Sequence, residues 1–165
     1  MKKGKKSFLV IFILVVVAVG LLGFNNIFRP AGSSNSSDED PLSRCIQHLR
    51  GGMHIHPHLT IVIDGERQTI SGNVGMSIMC MRPVHTHDVT GEIHIEHPSF
   101  QDFTLGDFFS VWQKPFSRGQ ILDYSPNLEY EIVMTVDGKP SDEFENLIFK
   151  DKQQIVIEYK KVVGK

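Results

Sequence analysis

All eight histidines of this 165-residue chain lie between His48 and His97. Seven of them fall into two groups: His54, His56 and His58, and then His85, His87, His94 and His97. Side chains two residues apart on a strand point to the same face, so this spacing predicts rows of imidazoles. Converging neutral imidazoles are ligands for zinc, copper, iron and nickel. The sequence therefore predicts a transition-metal site.

The second group has the pattern of a hairpin that turns around Val89, Thr90 and Gly91. Pairing His85 with His94 and His87 with Glu92, or shifting the register by two residues, leaves the same side chains on each face. One face then holds His85, His87, Glu92, His94 and Glu96. The other face holds Val84, Thr86, Ile93 and Ile95 and is expected to lie on an apolar core.

The candidate metal ligands are the imidazoles of both rows, which are His85, His87, His94, His54, His56 and His58. Three carboxylates could bind the metal, orient a ligand or act as a general base, and these are Asp88, Glu92 and Glu96. The alternative is a face of solvated polar residues. That alternative suits a single histidine, such as His48 or His97, better than it suits two rows.

Copper and zinc are the expected metals, with an iron site of two histidines and a carboxylate as a further alternative. Four methionines lie beside the histidines, and they are Met53, Met76, Met79 and Met81. Thioether and imidazole together suit copper, especially Cu(I). The competing interpretation is that Met76, Ile78 and Met79 fill the core.

The charges are unevenly placed along the chain. Five of the 17 basic residues precede Pro30 and no acidic residue does, so the remainder carries 12 basic and 19 acidic residues, a formal net charge of −7. This balance argues against nucleic acid as a partner and suits cation binding. A hydrophobic fraction of 41% predicts a folded domain with a core.

Phe8 to Phe24 is an uncharged apolar run of 17 residues preceded by four lysines. About 17 to 25 such residues cross a bilayer as a helix, and the lysines are expected to stay in the cytoplasm. We therefore expect a single-pass anchor in residues 1–29, a flexible linker in 30–41 and an extracytoplasmic domain in 42–165. The alternative is a cleaved signal peptide and a secreted protein.

Cys45 and Cys80 are the two cysteines of the chain. In an oxidising compartment they are expected to form a disulfide. The alternative is that Cys80 binds the metal as a thiolate.

Two hairpins and one main helix are predicted for the domain. Asp64-Gly65 and Asp137-Gly138 have the composition of hairpin turns between alternating segments. Thr104 is expected to cap a helix that runs through Trp112 and ends before Pro115. The remaining predicted elements are a short helix over 42–49 and a last strand over 154–159.

This order of hairpin, helix and strand pair resembles the β-grasp fold. The residues that carry the resemblance to small ubiquitin-like and soluble-ligand-binding domains are Val136–Lys139, Leu147 and Asp151–Ile157. The resemblance implies an α+β fold with a mixed sheet and one main helix. The histidine segment would then be an insertion between the first hairpin and the helix.

The segments HxHxH, CMRPVHTHDVTGEIHIE and FTLGDFF together resemble a group of membrane-anchored, extracytoplasmic proteins of archaea and bacteria. The resemblance covers about Cys45 to Tyr159 and implies no activity. Three hypotheses follow from the residues. The chain binds a metal or delivers it to a protein client; it is a metalloenzyme with a three-histidine site; or it binds a protein or peptide with histidines as pH sensors.

Overall fold

The computed structural model describes residues 40–46 and 52–162, which form a mixed α+β fold with one α-helix. The predicted anchor, most of the predicted linker and His48 lie outside the described residues. Within the described ranges, no helix is both long and apolar enough to cross a bilayer.

The main sheet has five strands, which are β2 (His58–Ile63), β3 (Glu66–Gln68), β10 (Tyr130–Val136), β11 (Lys139–Pro140) and β12 (Gln154–Lys161). They lie in the order β11-β10-β12-β2-β3. The chain turns between β2 and β3 at Asp64-Gly65 and between β10 and β11 at Asp137-Gly138, as predicted, with positive φ at all four residues. Strand β12 runs parallel to β2 and antiparallel to β10, which makes the sheet mixed.

A second, three-stranded sheet carries most of the histidines, and we call it the histidine sheet. Its strands lie in the order β1 (Met53–Ile55), β7 (His94–His97) and β6 (Val84–His85). The predicted pairing of His85 with His94 is confirmed. The predicted apolar face is also confirmed, because Val84, Thr86, Ile93 and Ile95 are all fully buried.

The helix α1 (Leu105–Trp112) begins where the sequence predicts. The Asp107 backbone N–H donates to the Thr104 hydroxyl at 3.2 Å, and the Asp107 carboxylate accepts from the Thr104 backbone N–H at 2.7 Å. This reciprocal capping box satisfies two amides that the first turn leaves without partners. Leu105, Phe108, Phe109 and Val111 face the core.

Short elements fill the remaining loops. These are the hairpin of β4 (Met76–Ser77) and β5 (Cys80–Met81), the hairpin of β8 (Phe116–Ser117) and β9 (Gln120–Ile121), and the 3₁₀-helix Phe144–Asn146. The expectation that Ile78 and Met79 fill the core is wrong, because they form the tip of the first of these hairpins and are almost completely exposed. A hairpin of this length leaves its turn residues in solvent.

Cys45 and Cys80 form a disulfide, with Cα atoms 5.0 Å apart. Beside it, Ile46 forms an antiparallel bridge with Met81, and its backbone N–H donates to the Met81 carbonyl at 2.7 Å. The predicted helix over 42–49 is therefore wrong at Ile46, because this residue forms a β-bridge with Met81 of β5 instead. Residues 47–49 of that prediction lie outside the described ranges.

Candidate metal centre

His94 lies at the centre of the polar face of the histidine sheet. On one side, β7 pairs with β1 so that His54 faces Glu96 and Ile55 faces Ile95. The isolated bridge between His58 and Glu92 continues the same register, which places His56 opposite His94. On the other side, His85 is the direct partner of His94 in β6. The central strand therefore brings the two predicted rows together.

Two groups of three imidazoles result within the described ranges, and His94 belongs to both. The outer triad is His54, His56 and His94, and the inner triad is His85, His87 and His94. In each triad, one ligand atom per residue lies within 4.8 Å of the other two. Such spacing allows three nitrogens to bind one ion after small side-chain rotations.

The ring of His85 is held in one tautomer by the backbone. Its Nδ1–H donates to the Arg82 carbonyl oxygen at 2.9 Å, because a carbonyl can only accept. The lone pair of the ring is then on Nε2. A hydrogen bond of this kind to the second ring nitrogen is the usual way in which proteins orient a metal-binding histidine. The side chain is fully buried, with the rings of His87 and His94 centred 4.9 and 5.4 Å away.

The two ring nitrogens of His94 lie in different environments. Nε2 lies 3.2 Å from Glu92 Oε1, and a carboxylate at this distance favours the proton on that nitrogen. Nδ1 is buried and has no hydrogen-bond partner among the described residues. A buried nitrogen without a partner is costly, and a metal ion would satisfy it.

Burial lowers the pKa of His94, and repulsion from the nearby His87, His56 and His54 lowers it further, while Glu92 opposes the shift. The ring is therefore kept neutral at neutral pH. Neutral imidazole is the form that binds metals.

Two of the predicted carboxylates contact the histidines. Glu96 is buried, and its Oε1 lies 3.3 Å from Nε2 of His54. Glu92 contacts His94 as described above. Asp88 is turned toward Thr90, whose hydroxyl and backbone N–H donate to Oδ1. These two hydrogen bonds hold the pKa of the Asp88 carboxyl below its usual range.

Asp151 is a supporting residue that the sequence analysis missed. Its Oδ1 accepts the backbone N–H of His56 at 3.0 Å and lies 3.8 Å from Nδ1 of that ring. The contact spans 95 residues and forms because β12 lies beside β2. The pairing of an N-terminal strand with a C-terminal one leaves no local signal at Asp151.

Backbone contacts fix the hairpin against the rest of the domain. The Thr86 hydroxyl donates to the Ser71 carbonyl at 2.9 Å and accepts from the Val74 N–H at 3.1 Å. Gly91 has a φ of +94°, and its carbonyl accepts from the Leu59 N–H at 2.9 Å. A Cβ at Gly91 would lie 2.3 Å from the Leu59 carbonyl oxygen, so only glycine allows this approach.

The remaining predicted site residues lie elsewhere. His58 belongs to neither triad and lines an open cleft of about 530 Å³ with Arg67, Gln68, Thr69, Val89 and Thr90. His97, which the sequence analysis left outside the metal ligands, is buried, and its Nδ1 lies 2.9 Å from the Ser99 carbonyl oxygen and 3.3 Å from the Ser99 backbone nitrogen. The disulfide occupies both cysteine sulfurs, so Cys80 is not available as a thiolate ligand in this state.

Comparison of the chain with protein-family models, with curated proteins and with solved structures finds no match. The chemistry of the histidine sheet is therefore argued from its own geometry. That geometry is compatible with binding of a metal ion.

Proposed function

We propose that this chain is a transition-metal-binding protein that binds or delivers copper or zinc. The observation that carries the proposal is His94, which belongs to two histidine triads and whose buried Nδ1 has no hydrogen-bond partner among the described residues. A face of solvated imidazoles would leave each ring in contact with water. Here His85 is fully buried, and the rings of four histidines, including His85, are centred within 6.1 Å of the ring of His94.

The donor set favours Cu(II) or Zn(II). Imidazole nitrogens and carboxylates suit both ions, and the disulfide removes the thiolates that would favour softer sites. Met79 is exposed at a hairpin tip, which gives no support to a thioether ligand at that residue. Zinc and copper remain distinguishable by spectroscopy, because Zn(II) is d¹⁰ and colourless.

We further propose that the chain belongs to the membrane-anchored, extracytoplasmic group that its motifs resemble. The basic start and the apolar run of Phe8 to Phe24 support an anchor with the domain outside. The sheet order β11-β10-β12-β2-β3, with β12 parallel to β2, supports a β-grasp frame. An anchor would hold the metal close to a membrane-bound client.

The test is metal analysis of the full chain, purified in mild detergent without a histidine tag and stripped with a chelator. We expect Cu(II) or Zn(II) to bind in calorimetry and to co-elute with the protein in elemental analysis. The variant His94→Ala removes the shared ligand, and we expect metal affinity to fall by more than about 100-fold. Mutation of a residue that only hydrogen-bonds to a metal ligand already lowers metal affinity by about 10- to 100-fold.

His58→Ala is the matched control, because His58 lies on the neighbouring strand but in neither triad. It should leave binding unchanged. A wild-type chain that binds neither Cu(II), Cu(I) nor Zn(II) would contradict the proposed function.

A metalloenzyme is the second candidate, and the position of Glu92 favours it. A triad supplies three protein ligands and leaves a fourth position for water, while Glu92 is half exposed and lies beside His94. Water-proton relaxation of the Cu(II)-loaded chain measures whether an exchangeable water is bound. Relaxation no faster than that of a protein with a fully occupied copper site would rule out this candidate.

A further inference from the structure

The two triads share one residue, and this sharing limits how many ions they can hold. Glu92 lies at Nε2 of His94 and favours the proton there, so Nδ1 is the nitrogen that offers a lone pair. Two ions bound at once would require both nitrogens of this ring. The two cations would also lie close together and repel each other, because the rings around them are centred only 4.5 to 6.1 Å from the ring of His94.

The triads differ in exposure and in how firmly their rings are held. In the outer triad, the side chain of His54 is 53% exposed and that of His56 is 33% exposed. In the inner triad, His87 is also exposed, but His85 is fully buried and fixed by the Arg82 carbonyl. Only the outer triad therefore offers an ion from solvent three rings that all have some exposed surface, whereas the inner triad contains the ring that is already held in place and is the more preorganised of the two.

We propose that the triads are two alternative positions for a single ion, with loading and release at the outer triad and retention at the inner triad. This inference rests on the proposed function. The ion passes between the positions while His94 stays bound. The imidazoles of His54 and His56 leave the metal as those of His85 and His87 bind, so two nitrogen ligands replace two others. The oxidation state of the metal does not change, and no co-reactant is needed.

We call this transfer of one ion between the two triads the relay. The relay makes a kinetic prediction that a single rigid site does not. In the double variant H54A/H56A, the loading position is lost while the retaining position remains. We expect Cu(II) association and Cu(II) loss to a strong chelator to slow together by about tenfold or more, with Kd changed by less than about threefold. The stoichiometry should stay at one ion per chain.

Removal of the inner ligands should have the opposite effect. The variant H87A leaves the buried ring of His85 in place and so avoids a cavity. We expect association at the wild-type rate, through the intact outer triad, and release that is about tenfold faster. H58A serves again as the control and should match the wild type in both rates.

Stopped-flow mixing of the full, untagged chain with Cu(II), followed by a chelator chase, measures these rates. Two ions per wild-type chain at saturation would overturn the relay, and so would unchanged rates in H54A/H56A. In either case Cu(II) still binds, and the proposed function stands. A wild-type chain that binds no metal would overturn the proposed function itself.

Discussion

In the main sheet, β10 and β12 pair over seven residues and β12 and β2 over six, whereas in the histidine sheet β6 and β7 pair over only two. The long ladders bury alternate apolar side chains, such as Leu59, Ile61 and Ile157, with almost no exposed surface. The short ladders carry a polar face, and side-chain contacts from Thr86 and Asp151 hold them in place. The main sheet therefore contributes the long apolar ladders, whereas the histidine sheet buries one apolar face and presents ligands on the other.

Ile61→Ala should produce the largest effect and should separate the two sheets most clearly. Ile61 is fully buried in β2, and removing three buried carbons from a packed core costs about 2 to 5 kcal/mol. Urea unfolding of the metal-free chain measures the loss. Metal affinity of the folded fraction should be preserved, because Ile61 pairs with Ile157 and Gln68 of the main sheet and not with a strand of the histidine sheet.

Val62→Ala is the matched control, since its side chain lies on the other face of the same strand and is only partly buried. It should cost clearly less. Equal losses in the two variants would contradict the assignment of this stability to the buried face of β2.

Much of the main sheet and of the hairpin could be predicted because the signals are local. Thr104 and Asp107 cap their helix within four residues, and each Asp-Gly turn joins strands adjacent in sequence. The pairing of His85 with His94 is local in the same sense. Alternation defines the two faces of a strand, but it does not tell which strands are neighbours. The pairing of β1 with β7, which brings both rows to His94, was therefore not predicted.

Gly91→Ala should have the second largest effect, and it acts on the contact between the sheets. A Cβ at this residue meets the Leu59 carbonyl oxygen, and φ of +94° adds strain, so we expect a loss of about 2 kcal/mol or more. Metal affinity should also fall, because the contact of Gly91 with Leu59 positions the segment that leads through Glu92 into β7. Urea unfolding and Cu(II) competition with a chelator measure the two effects.

Gly65→Ala isolates the cost of the backbone angle alone. Gly65 has a φ of +86°, but a Cβ there would meet no atom within 4 Å. This variant should lose less stability than Gly91→Ala and should keep wild-type metal affinity. If both variants bind metal equally well, the close approach at Gly91 does not position the histidine hairpin.

Asp151→Ala should have a smaller effect that is confined to the outer triad. It removes the acceptor of the His56 N–H, so we expect Cu(II) association and Cu(II) release to slow together by less than in H54A/H56A, with the Kd almost unchanged. Asp151→Asn keeps an oxygen that can accept this bond and should retain most of both wild-type rates. Equal losses in the two variants would indicate that the charge of Asp151 matters more than its hydrogen bond to His56.

The smallest effect is expected from pH acting on the metal-free chain. Burial lowers the pKa of His94 below the ordinary histidine value of 6.5, so the unfolded chain takes up this proton at a higher pH than the folded chain does. His94 therefore makes no contribution to the pH dependence well above pH 6.5, and it lowers the free energy of unfolding as the pH falls below that value. His94 lies in β7, so this response belongs to the histidine sheet, whereas β10 and β12 of the main sheet contain no histidine. Urea unfolding at several pH values, with His94→Gln for comparison, should give a shallower slope in the variant. Equal slopes would mean that the ring of His94 gains its proton as easily in the folded chain as in the unfolded one, and burial would then impose no cost on its charged form.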